Sequence, residues 1–362
     1  MKESKCIGLA WTFFLIVCSI FSQTPIVNPE KPLNKNAGRV LKLKEVFRIR
    51  DEGANFYFKY PRKLKVATDG SFFVVDENQF LKFSPQGQFV RNLFKAGQGP
   101  GEIPSREYKW AYISYCLTKD GIYLTTLSLQ KIIHTDMNGN LIDEIKLNRR
   151  LSELHWIVED KFIFIEQEPI YAGSAKEARF RDIEMSVIVI SDDGFSESKI
   201  LSFPKKIFES PKFGMDWAPF DAVFDSARQE LFVSHTCEYK IVQADLQKGR
   251  VIKSFLRKYP RVNHVLTKRE KENIKRFNAP KRKYKNDTIG LFLHQDHLWI
   301  LTSTRDKNKG QLIDVFDRQG RFVDNFYLNY RGSLAAVENH SLFIMERDKD
   351  DILQIVKYKI ME

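Results

Sequence analysis

Cysteine is scarce in this chain: four in 362 residues, at Cys6, Cys18, Cys116 and Cys237. The first two fall in an apolar N-terminal stretch. The other two sit in different repeats of the pattern described below, so they read as small buried hydrophobes and not as a disulfide pair. There is no CxxC pair and no Cys/His cluster, which argues against a structural zinc site. HExxH, the nucleophile elbow and the P-loop are also missing. No cofactor is implied.

The N-terminus carries the one long apolar run. Lys2 and Lys5 precede Ile7 to Phe21, and polar Ser22-Gln23-Thr24 follows. That order is a secretory signal peptide, and the run is short for a membrane span. Cleavage after Ser22 leaves Gln23 first. The rival reading is a lipoprotein, with Leu15-Ile16-Val17-Cys18 as lipobox, although Val17 is large for the position before the cysteine. The expected organisation is therefore a signal peptide at 1–22, a linker at 23–38 and one domain at 39–362. The destination is periplasm, cell envelope or medium, with no transmembrane span in the mature chain.

The composition, 43% hydrophobic and 29% charged, is globular. Twenty-nine Phe and 13 Tyr favour strands over helices. One unit recurs: an apolar strand, a short turn, a second apolar strand, a third strand, then a tight Gly turn and a fourth strand. The first copy runs through Leu64 to Thr68, Phe72 to Asp76, Phe80 to Phe83, Ser84-Pro85-Gln86-Gly87 and Phe89-Val90. Its turn reappears as Asp136 to Gly139, Ser191 to Gly194, Asp245 to Gly249 and Asp317 to Gly320. Asp or Ser opens such a turn by bonding its own backbone, and Gly closes it at positive φ. The successive turn glycines are 52, 55, 55 and 71 residues apart, the length of a four-stranded propeller blade.

A sixth copy is incomplete. Leu334 to Val337, Leu342 to Met345 and Leu353 to Tyr358 supply three strands before the chain stops. A matching strand waits at the other end, where Val40 to Ile49 alternates at period two. Pairing the two ends would remove exposed sheet edges. The expected fold is all-β: a six-bladed β-propeller closed by an N-terminal strand that completes the last blade.

Phe94-Lys95-Ala96-Gly97-Gln98-Gly99-Pro100-Gly101-Glu102, with Leu117 to Leu124 after it, resembles the NHL-type repeat. It is most similar to exported bacterial six-bladed propellers with a GxGPGE turn between their first two blades. The resemblance implies fold, not activity, because that family is functionally mixed. Only one full GxGPGE is present. The turn itself reads as a tight connection, not a phosphate loop, since no Lys-Ser/Thr follows.

The long insertions, Glu166 to Arg181, Pro204 to Phe220 and Leu256 to Thr288, all fall on connections that share one rim. That rim is where ligands are expected. Trp110, Trp156 and Trp217 each stand at or before an innermost strand and suit stacking on sugars, or else wedge blades together. The segment from Lys253 to Lys285 holds thirteen Lys and Arg against Glu270 and Glu272, a net +11 of the chain's +12. Within the basic insertion at 256–288, Thr267 and Glu270 form a capping box for a short helix ending near Phe277. Lys268, Arg269, Arg276, Lys281 and Arg282 are its candidate anion contacts. Acidic polysaccharide, lipid headgroups or an acidic protein fit as partners, and export disfavours nucleic acid. The reading is thus a non-catalytic ligand- or protein-binding propeller. The alternative is a metal-assisted hydrolase or lyase using His155, Asp221 and His294, which lack any spacing signature.

Overall fold

A computed structural model describes residues 24–361 apart from 54, 104–112, 128, 152 and 171–174. The leader at 1–22, its Cys18 and Trp110 lie outside the described residues.

The chain enters through β1 (Ile26–Asn28) and β2 (Arg39–Ile49). A four-stranded sheet follows, in sequence order: β3 (Arg62–Val66), β4 (Phe72–Asp76), β5 (Gln79–Phe83) and β6 (Phe89–Asn92). The next is β7 (Ile113–Leu117), β8 (Ile122–Thr126), β9 (Lys131–Thr135) and β10 (Leu141–Lys146). A five-stranded sheet comprises β11 (Glu153–Val158), β12 (Lys161–Gln167), β13 (Arg179–Ile190), β14 (Glu197–Ser210) and β15 (Phe213–Asp216). Then come β16 (Asp221–Asp225), β17 (Glu230–Ser234), β18 (Ile241–Asp245) and β19 (Arg250–Arg257), with β1 as a fifth, parallel strand on β19. Helix α1 (Lys268–Phe277) separates this sheet from β20 (Thr288–His294), β21 (His297–Asp306), β22 (Gly310–Phe316) and β23 (Phe322–Leu328). The chain ends with β24 (Ser333–Glu338), β25 (Ser341–Arg347) and β26 (Leu353–Met361).

β2 joins the two ends. Its residues Lys42 to Ile49 pair antiparallel with β26, from Lys42 opposite Met361 to Ile49 opposite Ile355. Its first residues, Arg39 to Leu41, pair parallel with Phe326 to Leu328 of β23. Eleven residues are long enough to serve both neighbours, so the last two strand runs fuse into one eight-stranded sheet.

The second strands explain the core. Every residue of β4 is buried, with no alternation. Phe73 and Val75 pack towards Tyr115 and Ile113, whereas Phe72 and Val74 pack towards Phe343 and Ile355. Successive side chains point to opposite faces, and both faces are covered by another sheet. The outer strand β6 is instead largely exposed. The arrangement is all-β and propeller-like.

The turn glycines also set the distance between neighbouring sheets. Gly194 has φ +79°, and a Cβ there would fall 2.0 Å from the Lys146 carbonyl oxygen of the preceding sheet. Its amide donates to Ser191 O at 3.0 Å, closing the turn. Gly is thus needed twice over, for conformation and for the close approach.

Two sequence expectations change. Residues 24–38 of the expected linker form a paired strap. Asn28 is buried, its amide donating to Leu256 O and Gly320 O while its oxygen accepts from Phe322 N. The insertion at Pro204 to Phe220 is not a loop, because it continues β14 and adds β15. No helix among the described residues is long and apolar enough to cross a membrane.

Candidate functional site

The elongated β13–β14 hairpin runs past its own sheet, with Asp182 opposite Lys206. The chain then doubles back through β15, and the Trp217 and Ala218 amides both donate to the Lys206 carbonyl, at 3.0 and 2.9 Å. This pins Trp217 beside the hairpin. The residues after β17 close in from the other side. His235 Nδ1 donates to Pro204 O at 2.7 Å, and the Cys237 thiol lies 3.5 Å from Trp217 O.

The basic insertion supplies the third wall. Its neck is zipped: His264 N donates to Lys283 O and Lys285 N to Val262 O, both at 2.9 Å. Beyond the neck, Thr267 caps α1 and Glu270 returns the bond, the expected capping box, and Asn278 ends the helix in the left-handed conformation. The helix buries no residue, and Phe277 stacks on Phe213 of β15 with ring centroids 4.9 Å apart. Just past it, the Arg282 guanidinium lies 4.3 Å from the Trp217 ring centroid. Arg282 also donates to Asn286 Oδ1 at 2.8 Å, to Asp216 O at 3.2 Å, and to Trp217 O.

Together these walls enclose a cavity of about 370 Å³. Lys206, Arg261, Arg282 and Lys283 line it, against Asp182 and Glu238. Arg261 is spent on Asp287, 3.0 Å away, and lies over the Tyr284 ring. Lys206 and Lys283 have no ion-pair partner among the described residues. Burial raises the pKa of the Cys237 thiol and lowers that of His235. Both shifts favour the neutral forms of these groups. The cavity suits recognition of an anion more than bond-breaking.

Of the sequence candidates, Trp217 and Arg282 meet in this cavity. Lys268, Arg269, Arg276 and Lys281 stand exposed on or just after α1 and do not line it. One face of Trp217 is covered by Arg282, and Phe180 meets its ring edge-on at 4.8 Å. Trp156 is a wedge: it packs on Phe224 at 5.4 Å, within the apolar cluster joining two sheets. Lys206, on β14, and His235 and Cys237, on the connection after β17, were not picked out by sequence as parts of one site, since the two segments lie apart in the chain.

His155, Asp221 and His294 are not brought to one point. His155 hydrogen-bonds Glu153 at 3.1 Å, and Lys63 reaches the same carboxylate at 3.2 Å. The His155 bond, with Lys63 nearby, pulls the Glu153 pKa down to about 2. Burial pushes Asp221 up to about 6. His294 stands at the far end of its strand, where β20 turns into β21, against Trp299 and His340. Among the described residues no three His, Cys, Asp or Glu form a metal-binding group.

The fold defines a class, the propeller-like all-β proteins. Solved structures of that class align over most of the chain. A protein of Bacteroides fragilis described as exported shares 11% identity, covers 94% of this chain and all of its own, and gives a TM-score of 0.56. A member of the DUF4221 family from Bacteroides vulgatus shares 10% identity, covers 90% of this chain and 99% of its own, and gives 0.57. At such identities the likeness is one of fold. No protein-family model matches the chain, and no curated protein matches it.

Proposed function

We propose that this chain is an exported six-bladed, NHL-like propeller of the cell envelope that binds an acidic polysaccharide on its basic and aromatic rim. The observation that carries this reading is the Trp217–Arg282 pair, 4.3 Å apart over a cavity where Lys206 and Lys283 have no carboxylate partner among the described residues. An aromatic ring beside unpaired cations suits a sugar bearing carboxylates. The exposed cations of Lys268, Arg269, Arg276 and Lys281 extend the field beyond the cavity, as a long polyanion requires.

Six units are supported by the core. Among the described residues six apolar clusters recur, each between consecutive strand runs, and the last joins Phe343 and Ile355 to Phe72. Export is supported by the fold shared with a protein described as exported.

The test is a glycan and lipid array followed by calorimetry. A uronate polysaccharide should bind, and binding should weaken with salt. Trp217→Ala and Arg282→Gln should each lower affinity, and neutralising Lys268, Arg269, Arg276 and Lys281 together should flatten the salt dependence. Equal binding of neutral glycans, preference for lipid headgroups or an acidic protein, or wild-type affinity in both cavity variants would overturn it.

A further inference from the structure

A second pocket, of about 610 Å³, opens where the first sheet meets the C-terminal strands. Pro61 and Arg62 come from the entry to β3, Arg331 from the entry to β24, and Met345, Arg347 and Leu353 from β25 and β26. No carboxylate stands among its lining residues. Three guanidinium groups thus share a wall with three apolar side chains.

The loop that carries Arg331 is braced on both sides. On one, Tyr330 is buried, and Arg305 donates to its carbonyl while lying 5.5 Å from its ring centroid. On the other, Gly332 has φ +92° and is so close to β25 that a Cβ would fall 2.0 Å from Met345 O. Arg331, held between these anchors, makes no hydrogen bond or ion pair among the described residues. Arg347 uses one nitrogen, Nη1, on Asp351, reaching its carbonyl at 2.8 Å and its carboxylate at 3.3 Å. The rest of that donor fork remains for another acceptor.

We infer that this pocket binds an amphiphilic anion: one anionic head group on an apolar body. Guanidinium forks match carboxylate and phosphate oxygens, and Arg331 with the remaining nitrogens of Arg347 sets such donors on one wall. Pro61, Met345 and Leu353 offer the body a dry surface, and the volume falls in the range of ligand pockets, roughly 300–1,000 Å³. The pocket shares no residue with the Trp217 cavity, so the two proposals stand or fall apart.

Calorimetry with octyl phosphate below its micelle concentration tests it on the full mature chain. One site per chain should saturate, and Arg331→Gln should weaken binding about tenfold or more, the cost of a lost charged hydrogen bond. Arg282→Gln should leave it unchanged. Inorganic phosphate, lacking the body, should bind at least about tenfold more weakly, since burying a short alkyl chain contributes that much or more. Competition by phosphatidylglycerol vesicles assigns the head group to a lipid; saturation without competition assigns it to a free amphiphile. Wild-type affinity in Arg331→Gln, equal affinity for inorganic phosphate, or adsorption to vesicles without binding of monomeric octyl phosphate overturns the proposal. Because Arg331 is exposed and touches no partner, its variant keeps the wild-type circular dichroism spectrum.

Discussion

Arg257 Nε lies 2.7 Å from Asp314 Oδ2, with both side chains buried, and the pair ties β19 to β22 across two neighbouring strand runs. Tyr239 OH donates to the same carboxylate oxygen at 2.8 Å. The guanidinium sits 4.9 Å from the Tyr259 ring and 4.8 Å from that of Phe322, and donates to Glu30 O of the N-terminal strap. A buried pair adds little net stability, but losing one half leaves an uncompensated charge. Asp314→Ala should therefore cost about 3–5 kcal/mol in urea unfolding. The double variant Arg257→Met/Asp314→Leu should lose less than the sum of its singles. A cost below about 1 kcal/mol for Asp314→Ala would mean the pair is not buried as described.

That pair also marks how far a sequence can be read. Turn chemistry made the repeat legible, because Asp or Ser followed by Gly has few other uses. The closing strand was legible from its period of two. The strap was not, since Ile26-Val27-Asn28 is too short to show a period and its partner β19 lies more than two hundred residues away. Pro204 made β14 look finished, because proline breaks a ladder. Here it stands opposite Glu184, short of the β15 pairing that covers Ile207 to Ser210, so its missing N–H is tolerated. The site was legible as a basic segment and a tryptophan set. Which tryptophan would wedge sheets and which would meet a cation depended on packing. Trp156 and Trp217 each precede or enter an innermost strand and differ only in what lies against them.

Acid stability should show two opposing limbs. Asp221 has its pKa raised by burial to about 6, so the folded state holds its proton more tightly than the unfolded chain. Its contribution is a penalty at pH 7 that is relieved as pH falls from about 6 to about 4. Asp221→Asn should stabilise the protein at pH 7 by up to about 3 kcal/mol and remove that slope. Glu153 behaves the other way. Its pKa is lowered to about 2, so its stabilisation is present above the usual glutamate range, near pH 4.3, and lost as pH falls through about 2. Glu153→Gln should flatten the limb below pH 4. Thermal melts across pH 2–7 check both, and an unchanged slope in Asp221→Asn counts against the first.

Asn28 gives the strap its register. It makes three hydrogen bonds, at 3.1 Å to Leu256 O, 2.9 Å to Gly320 O and 2.9 Å from Phe322 N. Alanine would leave two buried carbonyls and one buried amide without these partners. Asn28→Ala should cost about 2–4 kcal/mol. Amide exchange should then quicken along β1 and β19 and not in the first sheet. Uniform exchange across the molecule would show instead that the strap is no separate unit.

The GxGPGE turn is closed by its own carboxylate. Glu102 Oε2 accepts from Gly99 N at 2.8 Å, and Glu102 N donates back to Gly99 O at 3.1 Å. A Cβ on Gly97 would lie 1.8 Å from that Oε2 and would expel the side chain. Gly101 N is taken by Glu144 of the following sheet, at 2.8 Å, so the turn is fastened forwards as well. Each polar group nearest the glycines thus already has a protein partner, which makes the motif a brace between sheets and not a cradle for phosphate. Glu102→Ala should cost about 1–2 kcal/mol, and Gly97→Ala at least as much, because it loses the same bond and strains the backbone. Neither should alter binding of octyl phosphate or of acidic polysaccharide, measured by calorimetry on the folded variants. A variant that keeps full stability but loses an anionic ligand would reverse this assignment and make the turn a binding loop.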